Sequence, residues 1–219
     1  MAELETGPPD VAGPVPVAHE LPASRVHGLS DGVFAIVVTL LVLELRVPEI
    51  GGALGSAARA AELGQAVVDL LPRLLIFAVT FVVAGISWLS QARFQAQLSH
   101  IDPRLAFFNI IYLMFVSLLP FTSALIGSFG DTSLGLAAYA VNQVLIGAAF
   151  LWTLRYAVGH GLMRPGWQAE RLGQRALVNL GVFALMTVLA LTVPALAFFA
   201  PFTLPLLHPL LSRTRRAGW

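Results

Sequence analysis

The run from Val33 to Leu43, VFAIVVTLLVL, carries no charge. It lies inside the stretch Arg25–Arg46, whose ionisable groups are Arg25, His27 and Asp31 before the run and Glu44 and Arg46 after it. About 20 helical residues cross the ~30 Å hydrocarbon layer of a bilayer, so a segment of this length and composition reads as a membrane-spanning helix. An ionisable group at membrane depth costs several kcal/mol unless it is paired or wetted. Asp31, close to the start of the run, is therefore a functional candidate from the outset.

The rest of the chain reads as helices around this one. After a first span at about 26–46, residues 47–64 are rich in Gly and Ala and read as a loop or short surface helix. A second span covers about 66–90, with Pro72 expected in its first turns, where proline is tolerated. The polar segment 91–104 ends in Asp102-Pro103, a boundary signal. A third span covers about 105–127, with a kink expected at Pro120. The fourth and fifth cover about 134–155 and 176–193. The apolar stretch after Pro194 is long enough for a short sixth span, although Pro201, Pro205 and Pro209 each remove a backbone donor. The expected class is an all-α membrane protein with six transmembrane helices per chain. Residues 1–24 read as a disordered N-terminal tail, 25–212 as one six-helix transmembrane domain, and 213–219 as a short basic C-terminal tail.

Hydrophobic residues make up 57% of the chain and charged residues 11%, far below the ~25% charge usual in a soluble domain. The net charge is +1, which argues against a nucleic-acid partner, since binding phosphates requires a basic patch. There is no cysteine, hence no disulfide framework and no thiolate metal site. With six spans, one side holds ten basic residues: Arg25, Arg93, Arg104, Arg155, Arg164, Arg171, Arg175, Arg213, Arg215 and Arg216. The other holds three: Arg46, Arg59 and Arg73. Basic residues accumulate on the cytoplasmic side, so both termini are expected there.

The first span also carries a resemblance. Arg25, then Leu29-Ser30-Asp31-Gly32-Val33-Phe34-Ala35-Ile36, then Thr39-Leu40-Leu41-Val42-Leu43-Glu44, is similar to the first helix of the transmembrane protein 175 family of potassium channels. That family's signature is Arg-x-x-x-Phe-Ser-Asp followed by such a helix; Leu29 stands here where Phe is usual. Trp88-Leu89-Ser90-Gln91 resembles a family segment often reading Trp-x-x-His, with Gln91 in place of the His. Asn109 fits a Leu-Asn pattern, and Leu118-Leu119-Pro120-Phe121 a Leu-Leu-Pro-Phe segment. One Ser-Asp signature is present, as in the bacterial single-repeat branch. The resemblance implies a potassium-permeable cation channel of the bacterial inner membrane. It also implies a homotetramer whose first helices line a central pore, with K+ as permeant ion and no cofactor.

On a helix Ile36, Thr39, Leu40 and Leu43 share one face, being spaced i, i+3, i+4 and i+7. Four copies of that face on one axis would give stacked rings, with Ile36 as an apolar constriction and Thr39 as a hydroxyl ring. The resemblance places the narrowest point at Ile36 and a contribution to selectivity at Thr39. A narrow apolar passage can gate by dewetting. Asp31 lies about 140° around the helix from Ile36 and about 80° from Thr39, on the flank of that face. The expectation is a polar network at the base of the helix, with Asp31 paired to Arg25 or His27, Ser30 bonded nearby, and Gln91 and Asn109 contributing from the next spans. Glu44 in four copies would put carboxylates at the outer mouth. Two other functions fit the same spans: a proton-coupled secondary transporter using Asp31 as carrier, and a membrane scaffold without transport. His100, His160 and His208 have no carboxylate at ligand spacing, and no hydrolase or phosphate-loop pattern occurs, so neither a metal site nor an enzyme is expected.

Overall fold

The structure is a computed structural model and describes residues 22–46, 55–166 and 169–193. It is helical throughout: α1 Ala23–Leu40, α2 Ser56–Ala96, α3 Pro103–Ser117, α4 Leu119–Phe129, α5 Ser133–Gly159 and α6 Ala169–Thr192. α1 tightens into a 3-10 turn over Leu41–Glu44. Five stretches are long and apolar enough to cross a membrane, because α1 with its 3-10 turn and α3 with α4 each form one. The sixth expected span and both tails fall on residues outside those described, apart from Pro22, Ala23 and Ser24, two of which already belong to α1.

Several boundaries differ from the sequence reading: α6 begins at Ala169, seven residues before the expected 176, and three other differences have a local reason. The expected loop or short surface helix at 47–64 is, from Ser56, helix continuous with α2, because SAARAAEL is rich in strong helix formers. α2 is consequently 41 residues long, or about 62 Å at 1.5 Å per residue, roughly twice the hydrocarbon thickness. Pro72 then lies inside the helix rather than in its first turns. The third span breaks at Leu118 rather than kinking at Pro120, and Pro120 occupies the first turn of α4, where its missing N–H is an orphan in any case. Hydroxyls cover the break: Ser117 Oγ donates to Leu113 O at 2.8 Å and Thr122 Oγ1 to Leu118 O at 3.2 Å.

Other helix ends follow their sequence signals. Asp102 caps α3, accepting from Leu105 N at 2.6 Å with Pro103 next to it. Thr132 caps α5 through Gly135 N at 3.1 Å. The α2–α3 and α5–α6 connections are stitched together, with Ser99 N donating to Leu162 O and Arg164 N to Gln97 O, both at 2.9 Å.

α5 packs on α3, α4 and α6, while α1 packs on α2, α3 and α4. At the level of Ser30 the core is an aromatic chain: Phe34 of α1 meets Tyr112 of α3 at 6.2 Å, Tyr112 meets Phe150 of α5 at 5.9 Å, and Phe150 meets Phe94 of α2 at 5.9 Å. Lipid tails are as apolar as these side chains, so close packing and interhelical hydrogen bonds, rather than escape from water, hold such a bundle together. A second core around Ile76, Leu136, Tyr139, Phe183 and Met186 occupies the other half.

Candidate functional site: the two faces of the first helix

α1 divides its residues sharply. Ser30, Phe34 and Val37 are buried, and Leu41 continues the row; the spacing i, i+4, i+7, i+11 is one helix face. The opposite face is open: Ile36 is 60%, Leu40 41% and Leu43 69% exposed, and Thr39 is exposed beside them. Thr39 turns its hydroxyl back on the helix, donating to Ile36 O at 2.8 Å and Ala35 O at 3.1 Å. The four residues expected to share a face therefore do share one, and no other part of the described chain covers it. Glu44 is half-buried at the far end, in a small crevice it shares with Arg73 and Ser123.

The buried face is anchored by polar side chains at Ser30. Gln95 Nε2 of α2 donates to Ser30 Oγ at 2.8 Å, and Asn109 Nδ2 of α3 donates to it at 3.1 Å. Gln91 Nε2 donates to Asn109 Oδ1, closing the group. The Ser30 hydroxyl proton has Val26 O at 3.0 Å as its nearest acceptor. Ser30, Gln91, Gln95 and Asn109 are each at least 95% buried. Three helices thus meet in one neutral hydrogen-bonded cluster, the arrangement that makes a buried polar group tolerable.

Of the expected network, Ser30, Gln91 and Asn109 come together, while Arg25, His27 and Asp31 stand apart from the cluster. Asp31 is exposed and accepts from Trp88 Nε1 at 2.8 Å, a correction to the expected pairing with Arg25 or His27. The reason is azimuth: Trp88, Gln91 and Gln95 lie at i, i+3 and i+7 on α2, so the strip that reaches Ser30 and Asn109 also lays the indole against Asp31. Arg25 is exposed in the first turn of α1, and His27 is half-buried with Nε2 unpartnered among the described residues. Gln95 and Trp88 were not among the expected site residues. The signal for Gln95 was its spacing of four from Gln91, which repeats an amide on the same helix face.

A second polar group bridges α2, α4 and α5 in the other half of the bundle. Ser123 Oγ donates to Thr80 Oγ1, and Thr80 Oγ1 to the Tyr139 hydroxyl, both at 3.3 Å. Asn142 Nδ2 donates to Thr122 Oγ1 at 3.4 Å. Among the described residues no three His, Cys, Asp or Glu side chains are placed to hold a metal ion.

Comparison with known proteins bears on the same residues. A family model described as the endosomal/lysosomal potassium channel TMEM175 matches residues 25–120, which includes both faces of α1 and the whole cluster. A potassium channel of Streptomyces collinus is 31% identical over 144 residues, covering 63% of this chain and 66% of its own. A potassium channel of Chamaesiphon minutus is 31% identical over 105 residues, covering 48% of this chain and 49% of its own. The human endosomal/lysosomal proton channel TMEM175 is 27% identical over 195 residues, which is 86% of this chain and 36% of that protein. The chain thus matches just under two thirds of the Streptomyces relative and about a third of the human one. Among solved structures, the crystal structure of a lysosomal potassium-selective channel TMEM175 homolog from Chamaesiphon minutus superposes with a TM-score of 0.73. It has 23% identity and covers 88% of this chain and 98% of that one. At that identity the likeness speaks for the fold.

Proposed function

This chain belongs to the TMEM175 family, in its bacterial branch, and from that premise we propose that it is a potassium-permeable cation channel. It acts as an ion channel rather than an enzyme, as a homotetramer in the bacterial inner membrane with both termini cytoplasmic. The relatives named as potassium channels support the conducted ion.

The observation that carries the reading is the open face of α1. Ile36, Leu40 and Leu43 are large, apolar and uncovered, while the opposite face of the same helix is fastened to α2 and α3 through Ser30. Around a shared axis Ile36 forms the narrow apolar ring. Water leaves such a ring readily, which sets a barrier to ions that side-chain rotation or widening lowers. Thr39, one turn beyond, offers hydroxyl oxygens to a partly dehydrated cation when its side chain turns from the helix backbone toward the axis. Glu44 carboxylates at the far mouth raise the local cation concentration. Arg25, His27, Ser30, Asp31, Gln91 and Asn109 hold the orientation of α1 rather than touch the ion. The chain has no run of Thr-Val-Gly-Tyr-Gly, so discrimination rests on side-chain rings instead of backbone carbonyls and is correspondingly modest.

The test is potassium flux into proteoliposomes containing the wild type or Ile36→Asn. The expected result is wild-type conduction, with larger current and more sodium in Ile36→Asn, because a polar ring hydrates where an apolar one does not. Conduction unchanged by the substitution moves the constriction elsewhere. Flux that saturates and requires a coupled proton gradient replaces the channel with a transporter.

A further inference from the structure

The protomer carries a groove on its flank that neither face of α1 uses. It lies between α3 and α5 and has a volume of about 310 Å³, with Ala148 and Ala149 as floor and Phe107, Phe108, Phe115 and Trp152 as walls. Phe107 is 58% and Trp152 66% exposed. α3 sends Asn109, Tyr112 and Leu113 inward and keeps this aromatic side outward. α5 belongs to the part of the bundle packed with α4 and α6, away from α1. The groove lies off the open face of α1, on residues that the rest of the described chain leaves uncovered.

The groove has a polar end. Phe108 sits edge-on to both Trp152, at 6.2 Å, and Tyr156, at 5.1 Å. Beyond Trp152 a second hollow, lined in part by Ala148, Tyr156 and Arg155, continues the first. Arg104 is one turn before Phe108 on α3 and, like Arg155, is exposed. The neighbouring Asp102 carboxylate is already engaged by Leu105 N at 2.6 Å and by the Tyr156 hydroxyl at 2.7 Å. His160 stacks on Tyr156 at 4.0 Å. The two hollows thus lead to Arg155, with Arg104 exposed on the neighbouring turn of α3 and Tyr156 between α3 and α5 holding the Asp102 carboxylate, whose charge partly offsets the two guanidinium groups; Trp and Tyr are the side chains that favour the membrane interface.

We propose that this groove binds a phospholipid with an anionic headgroup, one acyl chain lying along Ala148 and Ala149 and the phosphate held by Arg104 and Arg155. The two alanines let the chain approach the α5 backbone between aromatic walls, and guanidinium groups match phosphate oxygens in geometry and charge. A neutral lipid would fill the same trough without the attraction to a net negative headgroup. Basic residues near an anionic lipid surface contribute about 1 kcal/mol each, which is about fivefold in affinity per Arg.

The test is quenching of Trp152 fluorescence by brominated lipid, in phosphatidylcholine vesicles doped with either dibromo-phosphatidylglycerol or dibromo-phosphatidylcholine. The signal is the part of the quench that disappears in Trp152→Phe, which removes the contribution of the other tryptophans. The glycerol lipid should quench at a markedly lower mole fraction than the choline lipid. Arg104→Ala and Arg155→Ala should each raise its midpoint about fivefold and move the choline curve less, because the choline cation offsets the charge of the same phosphate. Equal quenching by the two lipids overturns the proposal and leaves only ordinary annular contact. So does a glycerol-lipid midpoint that neither substitution moves. The readout involves no ion flux, so it stands or falls separately from the channel reading.

Discussion

The Trp88 indole donates from α2 to the Asp31 carboxylate on α1 at 2.8 Å, at an exposed position on the flank of the bundle. Asp31 is one residue past Ser30, so the contact stands beside the buried cluster and adds a charged acceptor to a set of neutral ones. It joins the one carboxylate in the first turns of α1 to a side chain that cannot lose a proton at any ordinary pH. Trp88→Phe keeps the ring and removes the donor. We expect it to lower stability in detergent by about 1 kcal/mol, since hydrogen bonds to charged groups contribute about 1.5–3 kcal/mol and exposure reduces that. Asp31→Asn keeps an acceptor and should cost less. A thermal-unfolding double-mutant cycle checks both: coupling near zero between positions 88 and 31 would mean the contact contributes nothing to α1.

Ser30→Ala tests the buried cluster. It removes the acceptor shared by Gln95 Nε2 and Asn109 Nδ2, leaving Asn109 Nδ2 unpaired and Gln95 Nε2 with its longer bond to Asn109 Oδ1 at 3.4 Å. The expected loss is about 1–3 kcal/mol, larger than for Ser90→Ala, whose hydroxyl bonds only to its own helix at Ile86 O. The comparison is made by chemical or thermal unfolding, and equal losses would deny the cluster any special weight.

Gly135→Ala should be severe for a purely steric reason. A Cβ at Gly135 would collide with the backbone oxygen of Phe129, and a backbone atom cannot rotate away as a side chain can. Relief requires shifting the tight turn that Thr132 closes by accepting from Gly135 N. We expect about 1–3 kcal/mol of destabilisation, read as a lowered Tm. Gly181→Ala, inside α6 where nothing lies within 4 Å of the added carbon, is the control and should leave Tm unchanged or raise it, since Ala is the better helix former.

The open face of α1 gives a prediction about assembly. The chain has no cysteine, so a single introduced thiol reports without background. Thr39→Cys faces the proposed axis and should give disulfide-linked dimers on mild oxidation, while Trp152→Cys in the proposed lipid groove should not. Thr39→Cys that stays monomeric at membrane protein concentrations would remove the shared axis.

Much of this was readable along the chain, because the signals were local. Uncharged runs marked the spans, Asp102-Pro103 marked the start of α3, and the spacing of Ile36, Thr39, Leu40 and Leu43 marked a face that is in fact open. Ser30, Gln91 and Asn109 were expected to meet, and they do. What could not be read was azimuth between helices. Pairing Asp31 with His27 follows from their spacing on one helix, but the rotation of α2 brings Trp88 to the carboxylate instead. The continuity of 56–64 with α2 was not legible, because Gly51, Gly52 and Gly55 suggest a loop or a separate short helix, whereas the Ala-rich segment after them runs straight into α2. The break at Leu118 was displaced from Pro120 because proline disturbs the turn before it more than its own.

Ser30 keys α1 from two sides at one level. Advancing a helix by one residue turns it by about 100°, and even a fraction of that would carry Ser30 away from both Gln95 and Asn109. The first helix is thus splined to its neighbours and cannot spin on its own axis while the cluster holds. Ile36, six positions on, inherits its bearing from Ser30. In the proposed channel, an opening that keeps the cluster intact would be confined to bending beyond Phe34, to tilting of whole protomers, or to a change of rotamer at Ile36 itself.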